Sequence, residues 1–176
     1  MNNRIHLHIP TLSEMSYRQK IQSDPATMSY NAGYDLNFVG YHKDTGCIDF
    51  PESEWANDFT RLVGNEPEWF YAYVVRDADG EFIGEVSVHR SRDGDWYDMG
   101  VLIEAKYRGM GFGKEALRLL LDYAFTKLGV REIHNDFEET RGAAFKIHLA
   151  CGFQEYEREN GLIKLKLSRD DYFEKT

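Results

Sequence analysis

The spacing of apolar residues changes several times along the chain, and each change predicts an element. Residues 4–8 alternate, with Ile5 and Leu7 out of phase with His6 and His8, and Pro10 closes this short strand. Thr11 and Glu14 have the spacing of a capping box, which predicts a helix over residues 12–22 that stops at Ser23-Asp24-Pro25. Residues 28–50 keep no period, yet Tyr30, Tyr34, Phe38, Tyr41 and Phe50 are concentrated there. So aromatic a loop is a packed lid over a site, an interface patch or a cover for the core. Helical spacing returns over residues 51–62, with Trp55, Phe59 and Leu62 on one face, and Gly64-Asn65-Glu66-Pro67 ends it.

Three strand-like runs follow, over residues 70–76, 81–89 and 96–103. Asp77-Ala78-Asp79-Gly80 and Arg92-Asp93-Gly94-Asp95 separate them as hairpin turns, which predicts an antiparallel meander. Leu117, Leu120, Leu121, Ala124 and Leu128 then fall at helical spacing over residues 115–128, and Gly129 stands at the C-terminal cap. The strand at 130–137 is reached through this helical crossover, so it is expected to run parallel to the 96–103 strand. A shorter helix at 140–151 ends at Gly152, and strands at 153–158 and 162–167 form a hairpin around Glu159-Asn160-Gly161. Residues 170–176 are polar and are expected to fray. No internal repeat or low-complexity tract interrupts this order.

Composition narrows the picture. A chain of 176 residues suits one domain, spanning 1–176. A net charge of −9 repels a nucleic-acid backbone and favours a basic acceptor. Neither the Met1–His6 start nor any later stretch has the apolar length of a signal peptide or membrane span, so a cytoplasmic protein without a membrane partner is expected. Cys47 and Cys151 fit neither a metal spacing nor a disulfide framework and are read as free thiols. His6 and His8 share a strand face but lack a third ligand, so no metal is expected. The aromatic surplus leaves a homodimer open.

The chemistry concentrates between the third meander strand and the long helix, at Arg108-Gly109-Met110-Gly111-Phe112-Gly113-Lys114. Alternating glycines let several backbone N–H groups converge, and the positive helix end beside Arg108 and Lys114 makes an anion site suited to a diphosphate. A Walker phosphate loop is excluded, because Arg108 and Glu115 stand where it needs glycine and a hydroxyl residue. The residues from Gly111 to Ala116 satisfy G-x-G-x-x-A, with Asp136 at ribose-contact distance, which keeps an NAD(P)-dependent oxidoreductase as a remote alternative. Against it, the preceding strand belongs to a meander, and too little chain follows for a doubly wound sheet.

The run from Asp98 to Ile103, the loop Arg108, Gly111, Gly113 in R-x-x-G-x-G spacing, and Ala144, His148, Gly152 and Phe153 on the second helix together resemble the GNAT superfamily of acyl-CoA N-acyltransferases. The resemblance implies an α+β fold with a mixed, mostly antiparallel sheet whose parallel middle strands splay apart. It implies acetyl-CoA in that gap, its pantetheine arm along the backbone of Val101, Leu102 and Ile103. Its pyrophosphate would lie on Arg108, Gly109, Met110, Gly111, Phe112, Gly113 and Lys114.

The same resemblance implies direct attack of a primary amine on the thioester. Asp98 then stands as a proton acceptor, or as a solvent-facing polar residue, with Glu85 a weaker candidate. A backbone N–H near 101–103 would meet the oxyanion. His148 stands where many relatives carry a tyrosine acid; it either keeps that role or is a packed helix residue. Arg141 replaces an asparagine that binds the pantetheine arm, and arginine has no acceptor with which to copy an amide. These two departures sustain a second hypothesis, a catalytically silent acyl-CoA-binding protein. Tyr30, Tyr34, Tyr41 and Trp55 are candidate acceptor or lid residues, and Glu155, Glu157 and Glu159 a candidate acidic side for a small-molecule or peptide amine.

Overall fold

The computed structural model describes residues 4–174. The sequence readings that touch Met1, Asn2, Asn3, Lys175 and Thr176 lie outside that span. Seven strands, β1 (Ile5–His8), β2 (Trp69–Arg76), β3 (Phe82–Arg90), β4 (Tyr97–Ile103), β5 (Glu132–Glu138), β6 (Gln154–Glu159) and β7 (Leu162–Ser168), form one sheet in the order β1-β2-β3-β4-β5-β7-β6. Among the described residues the helices are α1 (Met15–Gln22), α2 (Pro25–Met28), α3 (Glu52–Leu62), α4 (Phe112–Thr126), α5 (Gly142–Ala150) and α6 (Arg169–Glu174).

The near-continuous apolar run of β2 is explained by cover on both faces of the sheet. Phe70, Ala72 and Val74 point into a core built with α4, while Tyr71 and Tyr73 point into a second core with α1 and α3. On β4 the same alternation sends Met99 and Ile103 toward α4 and leaves Asp98, Gly100 and Leu102 on the opposite face.

The meander and the parallel crossover stand as expected, with one irregularity at the middle of the sheet. β4 pairs with β5 in parallel only at Tyr97↔Ile133 and Asp98↔His134. β4 then continues to Ile103 paired with β3 alone, while β5 continues to Glu138 paired with β7. The two middle strands therefore share a vertex and part beyond it. This topology also removes the dinucleotide-fold alternative, since β4 sits in an antiparallel meander rather than a doubly wound sheet.

Several boundaries differ from the sequence reading. The long helix begins at Phe112, three residues before the first expected position, because Gly111 takes a left-handed φ of 87° and starts the helix inside the glycine run. The expected 12–22 helix opens with a 3-10 turn at Leu12–Glu14, and the Glu14 carboxylate accepts the Thr11 N–H at 2.8 Å as its capping box requires. Asp24 ends α1 and also starts α2, accepting from the N–H groups of Ala26 at 3.2 Å and Thr27 at 3.1 Å.

Of the C-terminal stretch expected to fray, the described residues as far as Glu174 lie in α6, held by Ser168, which accepts the Asp171 N–H at 3.1 Å, and by buried Tyr172, which donates to Asp122 at 2.7 Å. Nor do the three glutamates of β6 share one side. A bulge at Tyr156 sets Glu155 opposite Leu165 and Glu157 opposite Lys164, so the run straddles both faces. Glu155 and Glu157 are further matched by Arg158 at 2.9 Å and Lys164 at 2.6 Å.

Candidate active site

The glycine turn joins the end of β4 to α4. Gly109 and Gly111 both have positive φ, 78° and 87°, and no side chain caps the helix start at Gly111. The first-turn N–H groups are thus left without a side-chain cap, the donor set a diphosphate requires. Phe112 anchors the turn in the core, and Met110 is exposed at its tip.

Arg108 is committed to the protein's own backbone. Its guanidinium donates to Ile103 O at 3.0 Å, Ala26 O at 3.3 Å and Thr27 O at 2.5 Å. It braces the end of β4 against α2, while its charge stays beside the turn. A cation that sequence reasoning missed completes the loop. Arg4 places its backbone N–H 2.5 Å and its guanidinium 3.0 Å from Glu115, donates to Met110 O at 3.1 Å, and lies over the Phe112 ring at 4.5 Å. An acid in the first turn of α4 repels a diphosphate, and Arg4 neutralises it. The signal was present in Glu115 itself, a charge at odds with an anion site.

Val101, Leu102 and Ile103 lie on the stretch of β4 beyond the last pair with β5. Asp98 lies at the vertex and accepts from Trp96 Nε1 at 3.2 Å. Across it on β5 stands His134, its ring stacked on Trp96 at 4.4 Å and an interplanar angle of 9°. Sequence reasoning named neither Trp96 nor His134, because only the parallel register brings them to Asp98.

Glu85 is not open to substrate. Arg18 Nη1 donates to both its carboxylate oxygens at 2.7 Å and Tyr71 donates to it as well. Burial opposes the Arg18 charge, yet Glu85 and Tyr71 beside it lift its ionisation above the ordinary arginine value. Burial, then Glu85, pushes the Tyr71 phenol well above its usual range. The cluster ties α1 to the sheet beneath Phe50.

His148 is buried on α5. Its Nδ1 lies 2.8 Å from Ala144 O, so that nitrogen carries the hydrogen, and Nε2 accepts from Asn135 Nδ2 at 2.9 Å. Burial holds the imidazole below its ordinary ionisation, with Ala144 O working the other way and Arg141 adding to the burial effect. The ring is a neutral link between α5 and β5.

Arg141 lies over the Tyr30 ring at 4.7 Å and the Phe137 ring at 5.5 Å, and Tyr34 Oη stands 3.5 Å from Thr140 Oγ1. The aromatic segment therefore reaches across the diverging strands to the start of α5. Tyr41 donates to the carbonyls of Asn31 at 2.6 Å and Tyr34 at 2.9 Å, fixing that segment. Trp55 packs in the α1–α3 core. His6 faces Asp77 at 2.6 Å and His8 faces Glu14 at 2.8 Å. Cys47 and Cys151 are free and buried. Among the described residues no group of three or more His, Cys, Asp or Glu is placed to hold a metal, and no helix is long and apolar enough to cross a membrane.

A splayed parallel pair beside an uncapped, glycine-initiated helix defines an acyl-CoA-dependent acyltransferase fold. The family model for a GNAT acetyltransferase domain matches residues 4–154. The chain belongs to the GNAT family and is an acetyltransferase that takes acyl-CoA as co-substrate. It is similar to an uncharacterized SPbeta prophage-derived N-acetyltransferase, YokL, of Bacillus subtilis, at 20% identity over 66% of this chain and 69% of the relative.

Among solved structures it is similar to spermidine N-acetyltransferase from Vibrio cholerae in complex with CoA and spermine. The TM-score is 0.75 at 16% identity, covering 98% of this chain and 99% of the other. A GNAT-family acetyltransferase from Bacillus anthracis aligns with TM-score 0.72 at 13% identity, over 97% and 98% of the two chains. These likenesses establish the fold along nearly the whole chain.

Proposed function

We propose that the protein transfers an acetyl group from acetyl-CoA to a primary amine of a small cationic acceptor, an alkyl polyamine or a molecule of similar charge, within a ternary complex. The observation that carries this reading is the loss of β4–β5 pairing beyond Asp98, directly beside the uncapped start of α4. When bound, acetyl-CoA supplies an acetyl group activated as a thioester.

On that reading the chain's own residues divide the work. N–H groups from Gly109 to Lys114 hold the diphosphate, with Arg4 cancelling Glu115 and Arg108 bracing the turn. The backbone of Val101, Leu102 and Ile103 along the open side of β4 pairs with an extended arm as a further strand would, and an N–H there meets the developing oxyanion. Asp98 draws the ammonium of the acceptor to the vertex.

His148 has no proton directed at the cleft, so it positions α5 on β5, and the departing thiolate relies on its own acidity, with an ordinary thiol pKa of about 8.5. The V. cholerae enzyme, whose complex holds spermine, supports the choice of acceptor class, as does the net charge of −9.

The test is a thiol-release assay with acetyl-CoA and a panel of spermidine, spermine, simple diamines, aminoglycosides and peptides, alongside calorimetric CoA binding. Turnover fastest with polyamines is expected. Tight CoA binding with turnover confined to peptides would overturn the acceptor assignment.

A further inference from the structure

An ordinary carboxylate is a weak base for an ammonium. Their pKa values are about 3.9 and 10.4, whereas an imidazole at about 6.5 stands closer to the amine and to neutral pH. Asp98 therefore suits holding the acceptor better than deprotonating it, and the vertex contains an imidazole.

His134 is the register partner of Asp98 across the parallel pair, so both side chains leave the sheet on the face away from α4. Its Nε2 lies 2.7 Å from Glu132 Oε1. A carboxylate only accepts, so Nε2 carries the hydrogen and Nδ1 is left with its lone pair. Nδ1 faces the Tyr156 hydroxyl at 3.4 Å, beyond the usual range for an O–H donor, so an incoming amine or water can take that place.

The ring is held firmly. Trp96 stacks on it at 4.4 Å, Tyr156 closes on it at 5.3 Å, and Trp96 is fixed by Asp98 and by Gly94, where a Cβ would fall 1.7 Å from the indole. The His134 side chain keeps 12% of its surface exposed, a ring reachable at one edge. The charged and titratable groups on its face are Glu132 and Asp136 on its own strand, Asp98 from β4, Lys166 and Lys164 on β7 and Tyr156 from β6.

We propose that His134, oriented by Glu132, is the base that removes the proton from the acceptor ammonium held at Asp98. The N–H bond of the ammonium breaks, the nitrogen keeps the electron pair, and the proton bonds to His134 Nδ1. The imidazolium so formed then releases that proton to solvent at the Tyr156 edge. The inference rests on the functional reading above, through the acceptor at Asp98.

Two measurements test it. In the free protein, imidazole nitrogen NMR of His134 should show the Nε2–H tautomer, and Glu132→Gln should weaken that preference and admit the Nδ1–H form; an Nδ1–H tautomer in the wild type would overturn the assignment without reference to turnover. In steady-state kinetics with spermidine, His134→Gln should lose the acidic limb of the kcat/KM profile and fall by about 100-fold or more, while retaining acetyl-CoA affinity. Glu132→Gln should lower kcat/KM by about tenfold with acetyl-CoA affinity retained, since a neutral amide orients the ring less firmly than a carboxylate. Because Glu132→Gln leaves the ring in place, it carries the kinetic test if His134→Gln does not fold. Profiles superimposable on the wild type would end the proposal. Absence of wild-type turnover with every amine would instead strike the functional reading, and the ring tautomer would still be decided by NMR.

Discussion

The two sides of the diverging strands are built from different materials. On the side of α4 the working groups are backbone N–H donors, presented by two left-handed glycines at the end of β4. On the opposite side they are side chains, Asp98, Trp96, Glu132, His134 and Tyr156, from three strands and a turn. A backbone site needs only that the chain bend in one place, whereas a side-chain site needs a register. The first tolerates change in side-chain identity and none in φ; the second reverses that sensitivity.

The sharpest way to break the comparison is at Gly111. Valine there faces a φ of 87° and sets a Cβ 3.2 Å from the Arg4 guanidinium, a strain of about 1–3 kcal/mol for the backbone alone. Gly111→Val should weaken acetyl-CoA binding by about 100-fold or more, equivalent to about 2.7 kcal/mol, with the fold retained by circular dichroism. Gly129→Ala supplies the control, since Gly129 has a φ of 70° with open space around it and lies at the far end of α4. It should lower stability and leave affinity alone. Calorimetry showing equal affinity in both variants would mean the turn is not the cradle.

Asp98→Asn probes the other side and should act on the other substrate. Removing the charge while keeping the shape should raise KM for a cationic amine by about tenfold or more, the weight of one charged hydrogen bond at about 1.5–3 kcal/mol. The acetyl-CoA affinity should not move. Initial rates with spermidine at fixed saturating acetyl-CoA measure this, and a lower kcat at unchanged KM would give Asp98 a share in proton removal.

This division explains what the sequence displayed and what it hid. The glycine run, the meander, the crossover and the parallel β4–β5 pair were legible because each is local: turn residues at fixed offsets, periods of 2 or 3.6, and a helix between two strands. Arg4 and Glu115 were opaque because 111 positions separate them. Trp96, His134 and Tyr156 were opaque because a parallel pairing and a bulge in β6 decide which face each one meets. Glu85, a weaker candidate from its strand position, is engaged by Arg18, 67 positions away, a pairing no local pattern displays. His148 carried the right position for an acid, while its protonation depends on Asn135 and the Ala144 carbonyl, which no spacing reveals.

The gentlest test concerns that residue. Replacing His148 with Phe takes the acceptor away from the half-buried Asn135 amide, at a cost of about 0.5–1.5 kcal/mol, the net worth of one hydrogen bond. For a chain of this length that corresponds to a fall in Tm of roughly 1–6 °C at pH 7.5. The sign of the pH dependence follows from the lowered ionisation of the native ring. The unfolded imidazole takes up its proton first as pH falls through about 6.5. The wild type therefore holds this increment fully above that pH and loses it as pH drops toward the native value. Phenylalanine has no such increment to lose, so the Tm gap between the two proteins should narrow from pH 7.5 to pH 5. A scanning calorimetry series of both proteins measures it. The turnover of His148→Phe should stay within about tenfold of wild type, below the 100-fold scale of a lost acid. A gap that widens on acidification, or a kcat lower by about 100-fold, would make His148 a proton donor. The cofactor side would then rely on a side chain after all.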